Sequence, residues 1–365
     1  MKVHAAVAYE GQTQLSIEHL DLGDPGPDDI LVRIAGCGLC HTDVKALAGR
    51  MGVPKPIVLG HEGAGVVERV GERVAGIEPG DHVVLTYDSC GVCHACAAGN
   101  PAYCARTTAL NFSDGRFGEP GTFTKNSELV HGHFFGQSSF ADFAMAKPRN
   151  AVVVRKDAPL EIAGVLGCSV QTGAGAVTNA LQPPAGSSIA IFGVGPVGLS
   201  AVLGAVLRGC AQIIAVDVLP QRLELARKLG ATHAVLAGPD MNPASAIRRN
   251  FPGGVNYSLD TTGRPDAAQH AIAALAPKGS FGFLTIPAGG LQINMSTVFL
   301  QGLSVRGIVQ GDSVPHSFIP QLLDFFLAGR LPFDRFLTRY NLSQINQAIA
   351  DQAEGKVAKP VFVMS

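Results

Sequence analysis

The sequence predicts an α/β protein of two domains, a twisted β domain and a doubly wound parallel sheet. The chain has 365 residues, 47% of them hydrophobic, which is enough for two cores. Its first part has short apolar stretches separated by Gly, Pro and Asp turns, a pattern typical of β structure. From Gly186 onward, short apolar stretches typical of buried strands alternate with helical patterns of roughly ten residues, which favours a parallel sheet covered by helices.

Each stretch can be assigned in order along the chain. In the first domain we predict one short helix at 42–48 and strands at 5–9, 14–19, 30–35, 66–70 and 82–86. In the second domain we predict strands at 188–192, 212–216, 234–236, 255–260 and 279–286, with helices at 199–207, 221–229, 243–249 and 266–275. A tail with helices at 317–327 and 343–354 and a strand at 361–363 is expected to return to the first domain. The predicted boundaries are therefore 1–169 with 309–365, and 170–308.

The composition excludes several classes of protein. The net charge is −1, which does not indicate binding to nucleic acid or to an anionic membrane. Glu10 interrupts the N-terminus before a signal-peptide core forms, and the apolar run at 199–207 is far shorter than the roughly 20 residues of a membrane span. We expect a cytoplasmic protein with neither a membrane nor a nucleic-acid partner. Eight cysteines in such a chain are expected to be metal ligands rather than disulfides.

A cysteine-rich segment at 88–106 predicts a structural zinc site. Its thiols, Cys90, Cys93, Cys96 and Cys104, are separated by three, three and eight positions. Four thiolates fill the tetrahedral shell of zinc and leave no open position, so such a site stabilises a loop and does no chemistry. His94 lies between the ligands and is expected to be exposed.

Three other residues form a different donor set. Cys40 lies in Gly-Cys-Gly-Leu-Cys-His-Thr-Asp, His61 in Leu-Gly-His-Glu, and Cys168 in Gly-Cys-Ser-Val-Gln-Thr-Gly. Two thiolates and one imidazole leave the fourth zinc position open, as in a catalytic site. Cys37 also forms a Cys-x-x-Cys pair with Cys40, but a redox dithiol is less favoured because Cys40 is better used on zinc.

A glycine motif follows the strand at 188–192. Gly193, Gly195 and Gly198 form G-x-G-x-x-G between that strand and a helix, and Asp217 lies 19 residues after Gly198. This context indicates a dinucleotide site, with the pyrophosphate at the helix N-terminus and Asp217 on the adenosine ribose. Asp217 disfavours a 2′-phosphate, so we expect NAD rather than NADP, although Arg222 softens the preference.

These motifs occur in an order that resembles the zinc-dependent medium-chain alcohol dehydrogenases over essentially the whole chain. The resemblance implies a GroES-like twisted β catalytic domain and a Rossmann dinucleotide-binding domain. Within the family, residues 111–115 and 131–140 are similar to those of bacterial aryl-alcohol (benzyl alcohol) dehydrogenases. His131 and His133 are expected to pack against this loop rather than bind metal. Its phenylalanines are expected in the core, and one of them is a candidate to line a substrate channel.

The resemblance also implies roles for individual residues. Cys40, His61 and Cys168 would be the catalytic zinc ligands, Glu62 an exchange ligand, and Asp43 the partner that orients His61. Thr42 would bond the substrate oxygen and carry its proton away. Many relatives end this relay with a His at the position of Lys45, so His41 is our hypothesis for the terminal base. The resemblance places the following residues at the cofactor: His41, Thr172, Gly193, Gly195, Val197, Gly198, Asp217, Arg222 and Lys359.

The expected activity is reversible oxidation of a primary alcohol, preferably an aryl alcohol, to the aldehyde, with zinc at two sites per subunit and with NAD as the hydride acceptor. A terpenoid (geraniol-type) or formaldehyde-type dehydrogenase is the closer alternative. A non-catalytic, zinc-stabilised nucleotide-binding protein is the remote one. The resemblance implies a tetramer or a dimer, with residues 304–309 as a candidate strand at a two-fold axis.

Overall fold

The computed structural model describes residues 1–113, 123–287 and 289–364. The chain forms two compact units: the first contains Met1–Cys168, Val314–Asp324 and Leu337–Ser365, and the second contains Ser169–Ser313 and Phe325–Phe336. The boundary after Cys168 lies within one residue of the predicted one. The sequence predicts Phe325–Phe336 in the first domain, but this segment groups with the second unit instead.

The first unit is built mainly from strands. Its strands are β1 (Lys2–Ala8), β2 (Ser16–Leu22), β3 (Ile30–Gly38), β4 (Ile57–Val58), β5 (Gly63–Val70), β6 (His82–Leu85), β7 (Phe123–Lys125), β8 (Glu128–Val130), β9 (Phe143–Ala146), β10 (Ala151–Val154), β17 (Leu337–Asn341) and β18 (Lys359–Val363). Its helices are α1 (His41–Leu47), α2 (His94–Ala97), α3 (Thr107–Asn111), α4 (Leu160–Ala163) and α12 (Ile345–Ala353), and α11 (Pro315–Leu327) runs from this unit into the second.

These strands form two sheets that share a hydrophobic core. One sheet has the order β4-β1-β2-β7-β8, and the other has the order β10-β6-β5-β3-β18-β17 with β9 also paired to β3. The last strand, β18, pairs antiparallel with β3, so that Phe362 lies opposite Cys37. Phe362 also packs its ring edge-on against Phe140, with the centroids 5.4 Å apart. The C-terminal strand is thus fixed beside the segment that leads into Cys40.

The second unit is a parallel sheet with helices. Its elements are α5 (Ser169–Gly175, continuing as a π-helical turn at Ala176–Leu181), β11 (Ser188–Phe192), α6 (Pro196–Leu207), β12 (Gln212–Asp217), α7 (Pro220–Lys228), β13 (His233–Leu236), α8 (Pro243–Asn250), β14 (Val255–Asp260), α9 (Pro265–Ala273), β15 (Leu275–Phe283), α10 (Met295–Gln301) and β16 (Ser304–Gly307). The strand order is β13-β12-β11-β14-β15-β16, and every pair is parallel. The order reverses direction beside β11, which is where doubly wound sheets bind ligands.

The predicted fold class is confirmed, and the predicted strands of the second unit are close to those observed. β11 and β14 have the predicted bounds. β11 is almost entirely apolar, as buried parallel strands usually are, whereas apolar and polar residues alternate along β14. The predicted strand at 279–286 is displaced, since β15 begins earlier, at Leu275, and ends at Phe283.

Candidate functional site

Four side chains from three separate segments of the first unit converge on one point. The ligand atoms of Cys40, His61, Glu62 and Cys168 all lie within 4.8 Å of one another. Cys40 is the N-cap residue of α1, while His61 and Glu62 immediately precede β5. Cys168 follows a 3₁₀ turn at Gly164–Gly167. The three predicted ligands of the open zinc site are therefore brought together by the fold, along with the acid predicted as an exchange ligand.

The imidazole of His61 is oriented for coordination. Its Nδ1 lies 2.8 Å from Oδ1 of Asp43, and both side chains are buried. Its Nε2 is buried and has no hydrogen-bond partner among the described residues. A carboxylate on one ring nitrogen, which leaves the other free to bind metal, is the usual partner of a zinc-bound histidine. Asp43 is itself held by backbone N–H groups of Cys40 (2.8 Å) and Gly60 (3.2 Å).

The electrostatics of this cluster favour a cation. A hydrogen bond with Cys168, together with the nearby charges of His61 and Lys359, holds the pKa of the Cys40 thiol well below its usual range despite burial. Burial alone would lower the pKa of His61, but the Asp43 carboxylate and the Cys40 thiolate raise it to about 10. This buried cluster thus stabilises a thiolate and a positive charge beside it, and one imidazole nitrogen has no hydrogen-bond partner within the described part of the chain. These features fit zinc bound by Cys40, His61 and Cys168.

Lys359 lies beside this cluster. Its side chain is 1% exposed, and its ammonium lies 2.5 Å from Oε2 of Glu62 and donates to the carbonyl of Leu39 at 2.9 Å. Burial raises the pKa of Glu62, while Lys359 opposes that change. Gly38 makes room for the pair, because a Cβ there would lie 2.1 Å from the Glu62 carboxylate. Within the first unit the charge of Lys359 is paired with that of Glu62, and its contact with a pyrophosphate stays a prediction.

The predicted proton-relay residues lie at the start of α1. The Oγ1 of Thr42 is 3.7 Å from the Cys40 sulfur. His41 is exposed. Partial desolvation and, to a smaller extent, the charge of Lys45 lower the pKa of its imidazole. Thr42 thus lies next to the candidate metal position, and His41 lies on the solvent side.

An aromatic cluster surrounds His61. The ring of Phe135 stacks on the imidazole with centroids 4.3 Å apart, and Phe134 meets it edge-on at 5.6 Å. Phe112 packs edge-on against both phenylalanines, at 5.0 Å and 6.3 Å. The sequence predicts Phe134 and Phe135 as core but does not reveal their contact with His61. Phe135 has a φ of 55°, a left-handed conformation that sequence patterns do not specify.

The four-cysteine lobe also has the predicted geometry. The sulfurs of Cys90, Cys93, Cys96 and Cys104 lie within 4.8 Å of one another. All eight cysteines are free thiols. Backbone N–H groups of Ala105 and Cys96 lower the pKa of Cys93 to about 6, whereas burial and a hydrogen bond with Cys93 raise that of Cys96 to about 12. A loop that presents N–H groups to its thiols is prepared for thiolate ligands, so the lobe fits a structural zinc ion.

The glycine motif of the second unit has the local geometry of a dinucleotide loop. Gly193 has a φ of +82°, and a Cβ on Gly198 would lie 1.9 Å from the Gly193 carbonyl oxygen, so both positions require glycine. At Gly195 the space beside the backbone is open, since a Cβ there would meet only Nη1 of Arg222, 4.0 Å away. Val197 lies in the first turn of α6.

Asp217 ends β12 and holds this loop. Its carboxylate accepts hydrogen bonds from the N–H groups of Val194 (2.8 Å) and Leu219 (3.0 Å), and Nη1 of Arg222 lies 3.9 Å from Oδ2. Thr172, also in this unit, donates to Oε1 of Gln310 at 3.2 Å. The predicted cofactor residues of this unit therefore lie on the glycine loop, at the end of the next strand and the start of α7, or on α5.

Several other residues of interest lie outside the two clusters. Within the described residues, His131, His133, Cys37 and Cys210 belong to neither group of metal-binding side chains. Thr86 is buried and its hydroxyl donates to the Gly167 carbonyl at 2.8 Å, next to Cys168. Asp114 and Gly115, part of the segment similar to aryl-alcohol dehydrogenases, lie outside the described residues. No single helix in the described residues is long and apolar enough to cross a membrane; Leu160–Gly167 and Ser169–Leu181 reach that length only when counted together across a bend.

Comparison with known proteins matches both units. Residues 26–155 match the alcohol dehydrogenase GroES-like domain, and residues 196–328 match the zinc-binding dehydrogenase family. A geraniol dehydrogenase from Castellaniella defragrans is 43% identical over 100% of this chain and 98% of its own.

Two solved structures are similar over the full length. An alcohol dehydrogenase zinc-binding domain protein from Burkholderia ambifaria is 47% identical, with a TM-score of 0.96 over 100% of this chain and 99% of the other. A benzyl alcohol dehydrogenase from Acinetobacter calcoaceticus is 38% identical, with a TM-score of 0.94 over 100% of both chains. The similarity thus includes both units in the same order.

Proposed function

This chain belongs to the zinc-binding medium-chain alcohol dehydrogenase family, and from that premise we propose that it oxidises primary alcohols, aryl alcohols best, to aldehydes with NAD. The alcohol gives up its hydroxyl proton and a hydride from the carbinol carbon, so the products are an aldehyde, NADH and a proton. The observation that carries the proposal is the convergence of Cys40, His61 and Cys168 in one buried cluster. Zinc held by these residues supplies a Lewis acid that polarises the substrate oxygen.

The residues of the first unit would perform the remaining tasks. Thr42, beside Cys40, would accept the hydroxyl proton at Oγ1 and pass its own proton onward. Asp43 would keep the His61 ring in one tautomer and one orientation through its 2.8 Å contact. Glu62 and Lys359 form a buried ion pair beside the ligands. Because their charges cancel, the pair adds no net charge to the site.

The surroundings of His61 support an aromatic or otherwise apolar substrate. Phe112, Phe134 and Phe135 form an aromatic cluster in contact with the imidazole. Aromatic rings pack favourably edge-on or offset against another ring. Such surroundings favour benzyl alcohol and disfavour a charged substrate such as S-hydroxymethylglutathione. An allylic alcohol such as geraniol is the second candidate, because a relative at 43% identity is a geraniol dehydrogenase.

The second unit supports NAD over NADP. The Asp217 carboxylate at the end of β12 would accept hydrogen bonds from the ribose hydroxyls and repel a 2′-phosphate. Arg222, 3.9 Å away, reduces that repulsion, so the preference is expected to be moderate.

A substrate panel tests the proposal directly. Purified protein with zinc is given NAD or NADP together with benzyl alcohol, geraniol, ethanol or S-hydroxymethylglutathione, and reduced cofactor is followed by absorbance. We expect kcat/KM for benzyl alcohol to exceed that for ethanol by at least about 100-fold, because each extra apolar group in a fitted pocket contributes roughly 10–200-fold. A higher value for geraniol would favour the allylic alternative. The highest value for S-hydroxymethylglutathione, or no reduced cofactor with any alcohol, would contradict the proposal.

We also propose that the chain assembles with further copies of itself through the β16 edge of the second unit. β16 is the last strand of its sheet, and the neighbouring helix α10 exposes Phe299 by 83% and Leu300 by 80%. A strand at the edge of a sheet, beside exposed apolar side chains, suits pairing with an identical strand.

Sedimentation velocity tests this interface. Phe299→Asp is expected to shift the protein from a dimer or tetramer towards the monomer, since it places a charge in the apolar patch that association would bury. Leu236→Asp is the matched control, because Leu236 is 49% exposed on β13 at the opposite edge of the same sheet. A monomeric wild-type protein, or dissociation by the control alone, would contradict this part of the proposal.

A further inference from the structure

One buried side-chain amide connects the segments that supply two of the candidate zinc ligands. Gln137 is 1% exposed. Its Nε2 donates to the carbonyl of His61 at 3.0 Å and to the carbonyl of Thr86 at 3.2 Å. Its Oε1 accepts from the N–H of Gly63 at 3.1 Å and from the hydroxyl of Ser139. Both donors and both acceptor positions of the amide are therefore in use.

The contact with Thr86 extends this connection to Cys168. The hydroxyl of Thr86 donates to the carbonyl of Gly167 at 2.8 Å, and Gly167 immediately precedes Cys168. Gly167 packs closely against β6, where a Cβ would lie 2.0 Å from the Leu85 carbonyl oxygen. Thr86 is thus connected to the backbone beside both ligands. Its carbonyl accepts from the Gln137 amide that also donates to the His61 carbonyl, and its hydroxyl donates to the residue that precedes Cys168.

The segment that carries Gln137 adopts a costly conformation. His133, Phe135 and Ser138 have φ values of 64°, 55° and 52°, in the left-handed region that non-glycine residues seldom adopt. Asn150 holds the segment through its amide, which donates to the carbonyls of Gly136 (3.1 Å) and Phe135 (3.5 Å). Strain of this kind persists only where surrounding contacts enforce it, and here it delivers the Gln137 amide to the backbone of His61.

We propose that Gln137 is a positioning residue for the metal site: its amide fixes the backbone of His61 and, through Thr86, the approach of Cys168. This inference rests on the proposed zinc site. Partners that orient a ligand without touching the metal typically change its affinity by about 10–100-fold when removed. The expected consequence of losing the amide is a site that still contains its three ligands but holds them less accurately.

The test uses Gln137→Met, which keeps the length of the side chain and removes all four hydrogen bonds. Each protein is loaded with cobalt(II), whose absorption reports the number and geometry of thiolate ligands. The Cys168→Ser protein supplies the absorption of the four-cysteine lobe alone, to be subtracted. We expect Gln137→Met to bind cobalt and zinc at the first site about 10–100-fold more weakly, with shifted absorption bands. Thr86→Val, which removes the hydroxyl bond to Gly167 and leaves the Gln137 amide in place, is also expected to shift the bands.

Asn346→Leu is the matched control. The Asn346 amide also clamps a distant backbone, bonding to both the N–H and the carbonyl of Leu15 at 2.9 Å, but far in sequence from the ligands. It is expected to lower stability without altering the cobalt bands. Unchanged bands and affinity in Gln137→Met and Thr86→Val, or an equal change in Asn346→Leu, would overturn the inference. A wild-type protein with no cobalt absorption beyond that of the lobe would instead contradict the proposed function itself.

Discussion

Replacing Cys168 by serine is expected to lower kcat/KM for alcohol oxidation by at least about a thousandfold. A Lewis-acid metal contributes several kcal/mol to the barrier, and each 1.4 kcal/mol or so corresponds to tenfold in rate. Serine offers a neutral, hard oxygen in place of a thiolate, in a buried cluster already arranged around Asp43, His61 and the Glu62–Lys359 pair. Metal analysis should find zinc falling from about two ions per chain to about one.

The control for this experiment is Cys210→Ser. Cys210 is a buried thiol in the second unit, outside both clusters of described metal-binding residues. Its replacement is expected to leave zinc content and kcat/KM near the wild-type values. A Cys168→Ser protein with wild-type activity and two zinc ions would rule out the proposed ligand set.

Replacing Cys104 by serine is expected to destabilise the first unit rather than to act on the chemistry. The helix α2 of the lobe buries no residue, so the lobe has little core of its own. Because the free energy of structural zinc binding is part of the free energy of folding, its loss is expected to cost about 3 kcal/mol or more. That corresponds to a fall in Tm of roughly 6–12 °C for a domain of this size. Differential scanning calorimetry and limited proteolysis at 88–106 measure it.

His94→Ala distinguishes the ligands of the lobe from their neighbour. His94 is exposed and lies between Cys93 and Cys96 in sequence. Its replacement should leave both the Tm and the zinc content unchanged. Loss of one zinc ion from His94→Ala, with retention in Cys104→Ser, would mean that the four-thiol assignment is wrong.

Much of the architecture follows from local patterns. The second unit alternates strands with helices, and the apolar stretch at β11 and the alternating apolar and polar residues at β14 have the same ends as the observed strands. The division of the C-terminal tail between the two units does not follow from local patterns. The sequence predicts the helix α11, but its division between the units at Asp324 and Phe325 depends on which contacts its two halves make. Periodicity identifies a buried face without identifying what buries it.

By itself the sequence determined the fold class, the family, and the thiol and imidazole side chains that converge in the two clusters, because metal donors are few and their chemistry is specific. Only the tertiary structure decided the pairing of Lys359 with Glu62, the stacking of Phe135 on His61, and the position of the Gln137 amide. These contacts join residues that are far apart in the sequence, or depend on left-handed backbone angles that no residue pattern specifies. Long-range polar partners are selected by the packing of the whole unit, since a buried charge or amide takes whichever partner the fold brings within reach.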